Sequence, residues 1–234
     1  MPVTYEKQGP VGIITLDDGR ANAISASVVD GLNRCLDEID ADDEARAVLV
    51  VGRPGRFSAG FDLAAMTGSE EGMRDLVVSG GRLAARLLLE PRPVVAACTG
   101  HALAMGALLL LAADHRIGAA GDWKIGLNEV AIGMAMPRWG VELARYRLSP
   151  THLEWRLVLG QTGNPEEALE AGFLDRVVAA DELIAEATAT AERLAELRTG
   201  AVAGTKQRLR QGVVERMLDD IEIDLRSVSV PRPG

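Results

Sequence analysis

Two runs, AVLVV at 47–51 and PVVAAC at 93–98, predict an α/β fold with a helical C-terminal part. Both are short and wholly apolar, as strands covered on both faces must be. Each is followed by a glycine-containing loop and then a helical pattern, and beyond residue 150 the patterns are helical only. Alternating strands and helices, then a run of helices, describe a mostly parallel sheet with helices packed on it.

Taken in order, residues 3–7 and 11–16 read as two strands around the turn Gly9-Pro10. Asn22 to Ser27 carries capping residues, and Val28, Val29, Leu32, Cys35, Leu36 and Ile39 then fall on one helical face. AVLVV is the next strand, and GRPGRFSAGFDL reads as a glycine-rich loop. Residues 69–89 read as a helix, PVVAAC as a strand, TGHALAMG as a loop and GALLLLAA as a buried helix. The stretch from Trp123 to Pro137 has no clear period, and helices are expected at 150–159, 165–171, 181–197 and 201–226. The closing VPRPG lacks a folding pattern.

The 234 residues suit one domain, or a domain with an extra arm, large enough to bury its own core. A net charge of −9 argues against general nucleic-acid binding, which needs basic patches. The longest apolar run, 102–113, is too short to span a bilayer, and the N-terminus has no signal-peptide pattern. No membrane association is therefore expected, and the protein is expected to be soluble and cytoplasmic. Cys35 and Cys98 lie in apolar patterns and read as buried thiols. His101, His115 and His152 have no metal-ligand spacing, so no metal is expected.

Loops at the ends of buried strands are the default ligand sites of α/β proteins, which directs attention to 52–60 and 100–106. Gly55 to Gly60 has phosphate-loop glycine spacing, but Phe61-Asp62 stands where Lys-Ser/Thr is required. Ser58 lacks the glycine two residues before it that a nucleophile elbow needs. Glu129 is the one acid in KIGLNEVAIGMAMP, a run otherwise apolar, small or neutral after Lys124. By itself it reads as a surface glutamate at a loop tip or helix N-terminus.

FSAGFDL at 57–63 resembles the first signature of the crotonase superfamily, also called the enoyl-CoA hydratase/isomerase family. PRPVVAACTGHALAMGALLLLAADHRI at 91–117 is similar to the second, and KIGLNEVAIG at 124–133 to the segment carrying a catalytic glutamate. Spacing and order agree over roughly residues 10 to 180. The resemblance implies a crotonase (ClpP/crotonase-like) fold, with repeated strand-strand-helix units as a core over 1–180. Residues 181–234 would form a helical region packing on the core and on neighbouring subunits in a homotrimer or a dimer of trimers. It implies an acyl-CoA thioester as substrate, with no cofactor beyond that coenzyme A.

By the same resemblance, the backbone N–H groups of Phe61 and Met105 hold the thioester oxygen and Glu129 is a base. Ala59, Gly60, Asp62, Leu63, Ala64, Arg20, Ala21, Gly106 and Leu108 then bind substrate. Asp114 is expected to be structural, and Lys206, Arg208 and Arg210 are candidate partners for the CoA phosphates, alongside a solvated basic helix face as the alternative. Hydratases of the family use two glutamates, and Leu108 stands where the first would be. The pattern looks closest to mitochondrial-type Δ3,Δ2-enoyl-CoA isomerases. A hydratase, another reaction such as thioester hydrolysis or decarboxylation, and a non-catalytic acyl-CoA-binding protein are the alternatives.

Overall fold

The computed structural model describes residues 1–227. The chain begins with a hairpin, β1 (Val3–Gln8) and β2 (Val11–Leu16), turning at Gly9 with φ +56°. A short β3 (Ala23–Ile24) leads to α1 (Ala26–Asp40), whose Ser25 side chain accepts the Val28 N–H as a cap. Three pairs of strands follow, each with its helices. They are β4 (Ala47–Gly52) and β5 (Gly55–Ser58), with β6 (Gly60–Phe61), α2 (Leu63–Gly68) and α3 (Glu70–Leu89); then β7 (Val94–Cys98) and β8 (Gly100–Leu103) with α4 (Met105–Ala112); then β9 (His115–Ala119) and β10 (Ile125–Gly126) with α5 (Arg138–Arg147). The chain ends in α6 (Pro150–Leu153), a π-helical turn at Glu154–Val158, α7 (Pro165–Ala171), β11 (Arg176–Val178), α8 (Leu183–Ala195) and α9 (Thr199–Ser227).

The first strand of each pair joins a six-stranded sheet of order β1-β2-β4-β7-β9-β11, parallel except for the β1–β2 hairpin. The second joins a smaller parallel sheet, β10-β8-β5. This is the strand-strand-helix repeat. It explains why AVLVV and PVVAAC show no alternation. Val48 and Val50 of β4 face the main core with α1, α3 and α4, whereas Ala47, Leu49 and Val51 face a second core built on Leu183, Ala187, Ala191 and Ala195 of α8. Burying one such Val or Leu contributes roughly 1.5–3 kcal/mol.

Several expectations need correction. The segment 52–63 is no simple loop, since it contains β5 and β6, and β8 lies inside TGHALAMG. These strands are short and owe their form to partners distant in sequence, which leave no local period. Helix α5 and strands β9 and β11 were likewise not expected. The helix expected over 150–159 breaks at Glu154, where the Leu159 N–H bonds the carbonyl five residues back. Residues VPRPG, at 230–234, lie outside the described residues. Among the described residues, no helix is long and apolar enough to cross a membrane.

The C-terminal helix is tied to the core by ions. Asp114 accepts from Lys206 (2.5 Å), Arg210 (2.6 Å) and the Val94 N–H (2.6 Å), and Lys206 also donates to the carbonyls of Glu90 and Arg92. Asp114 is structural, as expected. Lys206 and Arg210 are buried and committed inside the subunit, which corrects their assignment to CoA phosphates. Arg208, on the same helix, is exposed.

Candidate active site

The first glycine loop and the start of α4 lie backbone to backbone. Ala59 N–H donates to the Ala21 carbonyl and Asp62 N–H to that of Ile24, each at 3.0 Å, which fixes the loop against β3. Gly60 has φ +93°, and a Cβ there would stand 2.8 Å from Ala104 Cβ, 2.9 Å from the Leu103 oxygen and 3.4 Å from Met105 N. Only glycine combines that conformation with that approach. Met105 is the first residue of α4, so its N–H has no carbonyl within the helix and stands at the positive end of the helix dipole.

Ala104, just before it, has φ +49° and ψ −122°, a backbone state costly for a residue with a Cβ. Its N–H donates to the Gly126 carbonyl at 3.0 Å, and the Ala102 N–H donates to that of Lys124. These bonds pin the second loop to β10, which carries the chain into Asn128 and Glu129.

Glu129 is 7% exposed, which excludes the surface reading. The N–H groups of Ile132 and Met134 donate to its backbone carbonyl at 3.1 and 2.9 Å, closing a tight turn. Its Oε2 is buried with no hydrogen-bond partner among the described residues, and so is Oδ1 of Asn128. Burial raises the Glu129 carboxyl from 4.5 to about 7. Of its apolar chain neighbours, Ile125 and Leu127 are buried, but Val130 and Ile132 are exposed.

Glu129 enters a cavity of about 340 Å³. Ala21, Ala59, Phe61, Asp62, Leu63, Ala64 and Leu108 line it too, as the sequence reading expected. Gly60, Met105 and Gly106 are buried behind the lining and shape it through the backbone. A Cβ on Gly106 would meet the Ser58 oxygen at 2.6 Å. Arg20 is exposed and is not among the lining residues, although Ala21 next to it is. Asp62 also has a local task, accepting the Ala65 N–H at 2.9 Å as the cap of α2.

The cavity adds residues that sequence reasoning passed over: Ala23, Met66, Val77, Ala104, Asn128, Met134 and Pro137. Val77 and Met66 carry the ordinary apolar signal of helix positions, which does not separate a cavity wall from a core. Ser58 is wholly buried, donates to the Asn22 carbonyl at 2.7 Å and accepts from Gly60, so it is no nucleophile. Cys35 and Cys98 are buried free thiols. His101 accepts the Lys124 N–H through Nδ1, His115 lies 3.7 Å from Asp175 and His152 contacts Thr151.

The sequence from residue 6 to 230 matches the family model described as enoyl-CoA hydratase/isomerase. A crystal structure of an enoyl-CoA hydratase/isomerase family protein from Pseudomonas syringae superposes with a TM-score of 0.95 at 42% identity, covering 97% of this chain and 98% of that one. A Mycobacterium tuberculosis protein, described as an enoyl-CoA isomerase in one structure and as a probable enoyl-CoA hydratase in another, superposes in the former with a TM-score of 0.92 at 37% identity, again over 97% and 98% of the two chains. A Mycobacterium bovis protein named as the enoyl-CoA hydratase echA8 is 30% identical over 209 residues, which are 88% of this chain and 79% of that protein. Both reaction names therefore occur among the relatives.

Proposed function

Because the chain belongs to the enoyl-CoA hydratase/isomerase family, whose enzymes act on acyl-CoA thioesters, we propose that it moves the double bond of a 3-enoyl-CoA to the 2-position with Glu129 as its single proton carrier. The observation that carries this reading is the pairing of Glu129 with Leu108. The glutamate is buried at the cavity with its Oε2 free of hydrogen-bond partners among the described residues, and the position where a second acid would serve hydration is an apolar side chain 1% exposed.

The chemistry follows from those positions. Ionised Glu129 removes a proton from C2 of the thioester, and the electrons move onto the thioester oxygen as a dienolate. The N–H groups of Phe61 and Met105 hold that oxygen. Donors of this kind are worth on the order of 3–4 kcal/mol each in oxyanion sites. The same carboxyl then returns its proton to C4, which leaves the conjugated 2-enoyl thioester and a regenerated base. Leu108 supports this by excluding water from the dienolate. A carboxyl near 7 is a stronger base than an exposed glutamate yet is ionised in a large fraction at neutral pH.

The test is 3-hexenoyl-CoA with the appearance of conjugated 2-hexenoyl-CoA followed in the ultraviolet. Glu129→Gln should lower kcat by about 10²–10⁴-fold, the range of general-base removal. Hydration of a 2-enoyl-CoA is the second reading. The buried Oδ1 of Asn128, without a partner among the described residues, favours it as an acceptor that a bound water would satisfy. Turnover of crotonyl-CoA with no turnover of the 3-enoyl ester would select it. Assembly as a homotrimer or a dimer of trimers belongs to the same proposal. Trp155, Val158 and Leu159 are more than half exposed, and Gly160 next to them packs against Val130 and Ala131, so an apolar surface adjoins the Glu129 turn.

A further inference from the structure

The lining of the cavity divides by chemistry. Asp62, Asn128 and Glu129 are its polar part, and Met66, Val77, Leu108 and Phe61 belong to its apolar part. The Phe61 ring is backed by α3 at a residue without a side chain. A Cβ on Gly80 would stand 2.6 Å from Phe61 Cζ, 2.8 Å from Cε1 and 3.3 Å from Met105 Cε. Gly80 is buried in the interior of a 20-residue helix that continues to Leu89. Glycine there is unfavourable for the helix relative to alanine, and no turn calls for it. The space it leaves is the seat of the ring. Met105, wholly buried, lies behind the ring and does not line the cavity.

We propose that the Phe61 ring, seated in the notch at Gly80, closes the apolar end of the cavity and sets the length of acyl chain accepted. The proposal rests on the cavity being the acyl-CoA site. Phe61 then has two separable roles, its backbone at the thioester and its ring at the end of the chain. The ring tip fills the space that a Cβ on Gly80 would occupy, and the Met105 methyl borders the same space, so a side chain at Gly80 would displace the ring. Acyl chains that reach it gain no further burial by growing longer.

Calorimetric titration with saturated acyl-CoAs from acetyl to dodecanoyl tests this, because saturated esters bind without revealing which reaction follows. For the wild type, affinity should rise by about fourfold per methylene while the chain still buries new apolar area, and then stop rising. In Phe61→Ala the rise should continue to longer chains, with Phe61→Leu between the two, and in Gly80→Ala it should stop at a shorter chain. Thermal melts establish that each variant is folded, and Phe61→Leu is the mildest of the three. Profiles that bind and superimpose overturn Phe61 as the boundary. If the folded wild type binds every acyl-CoA no better than free coenzyme A, the cavity is not the acyl site, and the proposal falls with that reading.

Discussion

Glu129 acquires base strength and a stability cost from the same burial. Its carboxyl titrates at about 7 in the folded chain against 4.5 ordinarily, and the proposed mechanism uses the ionised form. The rate with 3-enoyl-CoA should therefore fall as pH drops through about 7 and level off above it, which a kcat/KM profile will show. Stability has the opposite slope. Between 4.5 and 7 the folded chain holds a proton that the unfolded chain has lost, so stability is lost as pH rises across that window. The shift corresponds to about 3 kcal/mol. Glu129→Gln should accordingly melt higher than wild type near pH 8, and the difference should vanish near pH 4. Ala104 carries strain of another kind. At φ +49° it has a Cβ where glycine would be relaxed, and Ala104→Gly should stabilise the fold by about 1 kcal/mol in urea denaturation.

Elements with a local cause were legible. Helix α7 opens at Asn164, whose side chain accepts the Glu167 N–H while Glu167 returns the bond, and it closes at Gly172 with φ +91°. All of that is written within nine residues, and the expected 165–171 matches it. Helix α4 is apolar on every side and is buried on every side, as such a helix must be. By contrast, α5 begins after Pro137, which has no side-chain cap to offer, and the N–H groups of Arg138 and Trp139 face Asp224 from α9 instead. No local pattern announces a cap supplied from the far end of the chain. The short strands depend on close approach in the same way. Gly100 is paired with Gly55, and a Cβ on it would fall 2.1 Å from the Gly55 carbonyl carbon. Gly100→Ala must push β5 and β8 apart, and a loss of about 3 kcal/mol is expected in thermal or urea melts.

At the scale of the molecule, α9 closes over the core through Asp114, Lys206 and Arg210, three charges less than a fifth exposed. Removing the acid leaves two buried cations without their partner. Asp114→Ala should destabilise by about 3–5 kcal/mol, a loss of the kind seen when one member of a buried pair is deleted. In size-exclusion chromatography with light scattering, the proposed assembly should give a mass of three or six chains. Trp155→Glu on the exposed apolar surface should lower it, since a charge there opposes burial against a second copy.

The sequence by itself determined the family and the α/β class and singled out Glu129 as the proposed base, because those rest on ordered short motifs and on apolar runs whose cause is local. It also placed most of the cavity's first loop, since Ala59 to Ala64 are consecutive. Only the tertiary structure decided what each buried group faces. It turned Lys206 and Arg210 inward to Asp114, left Arg20 outside the cavity, set Met105 behind the lining and seated Phe61 on Gly80. Burial and partnership depend on chain segments that meet in space, and a charge or a methyl group in sequence carries no record of what will pack against it.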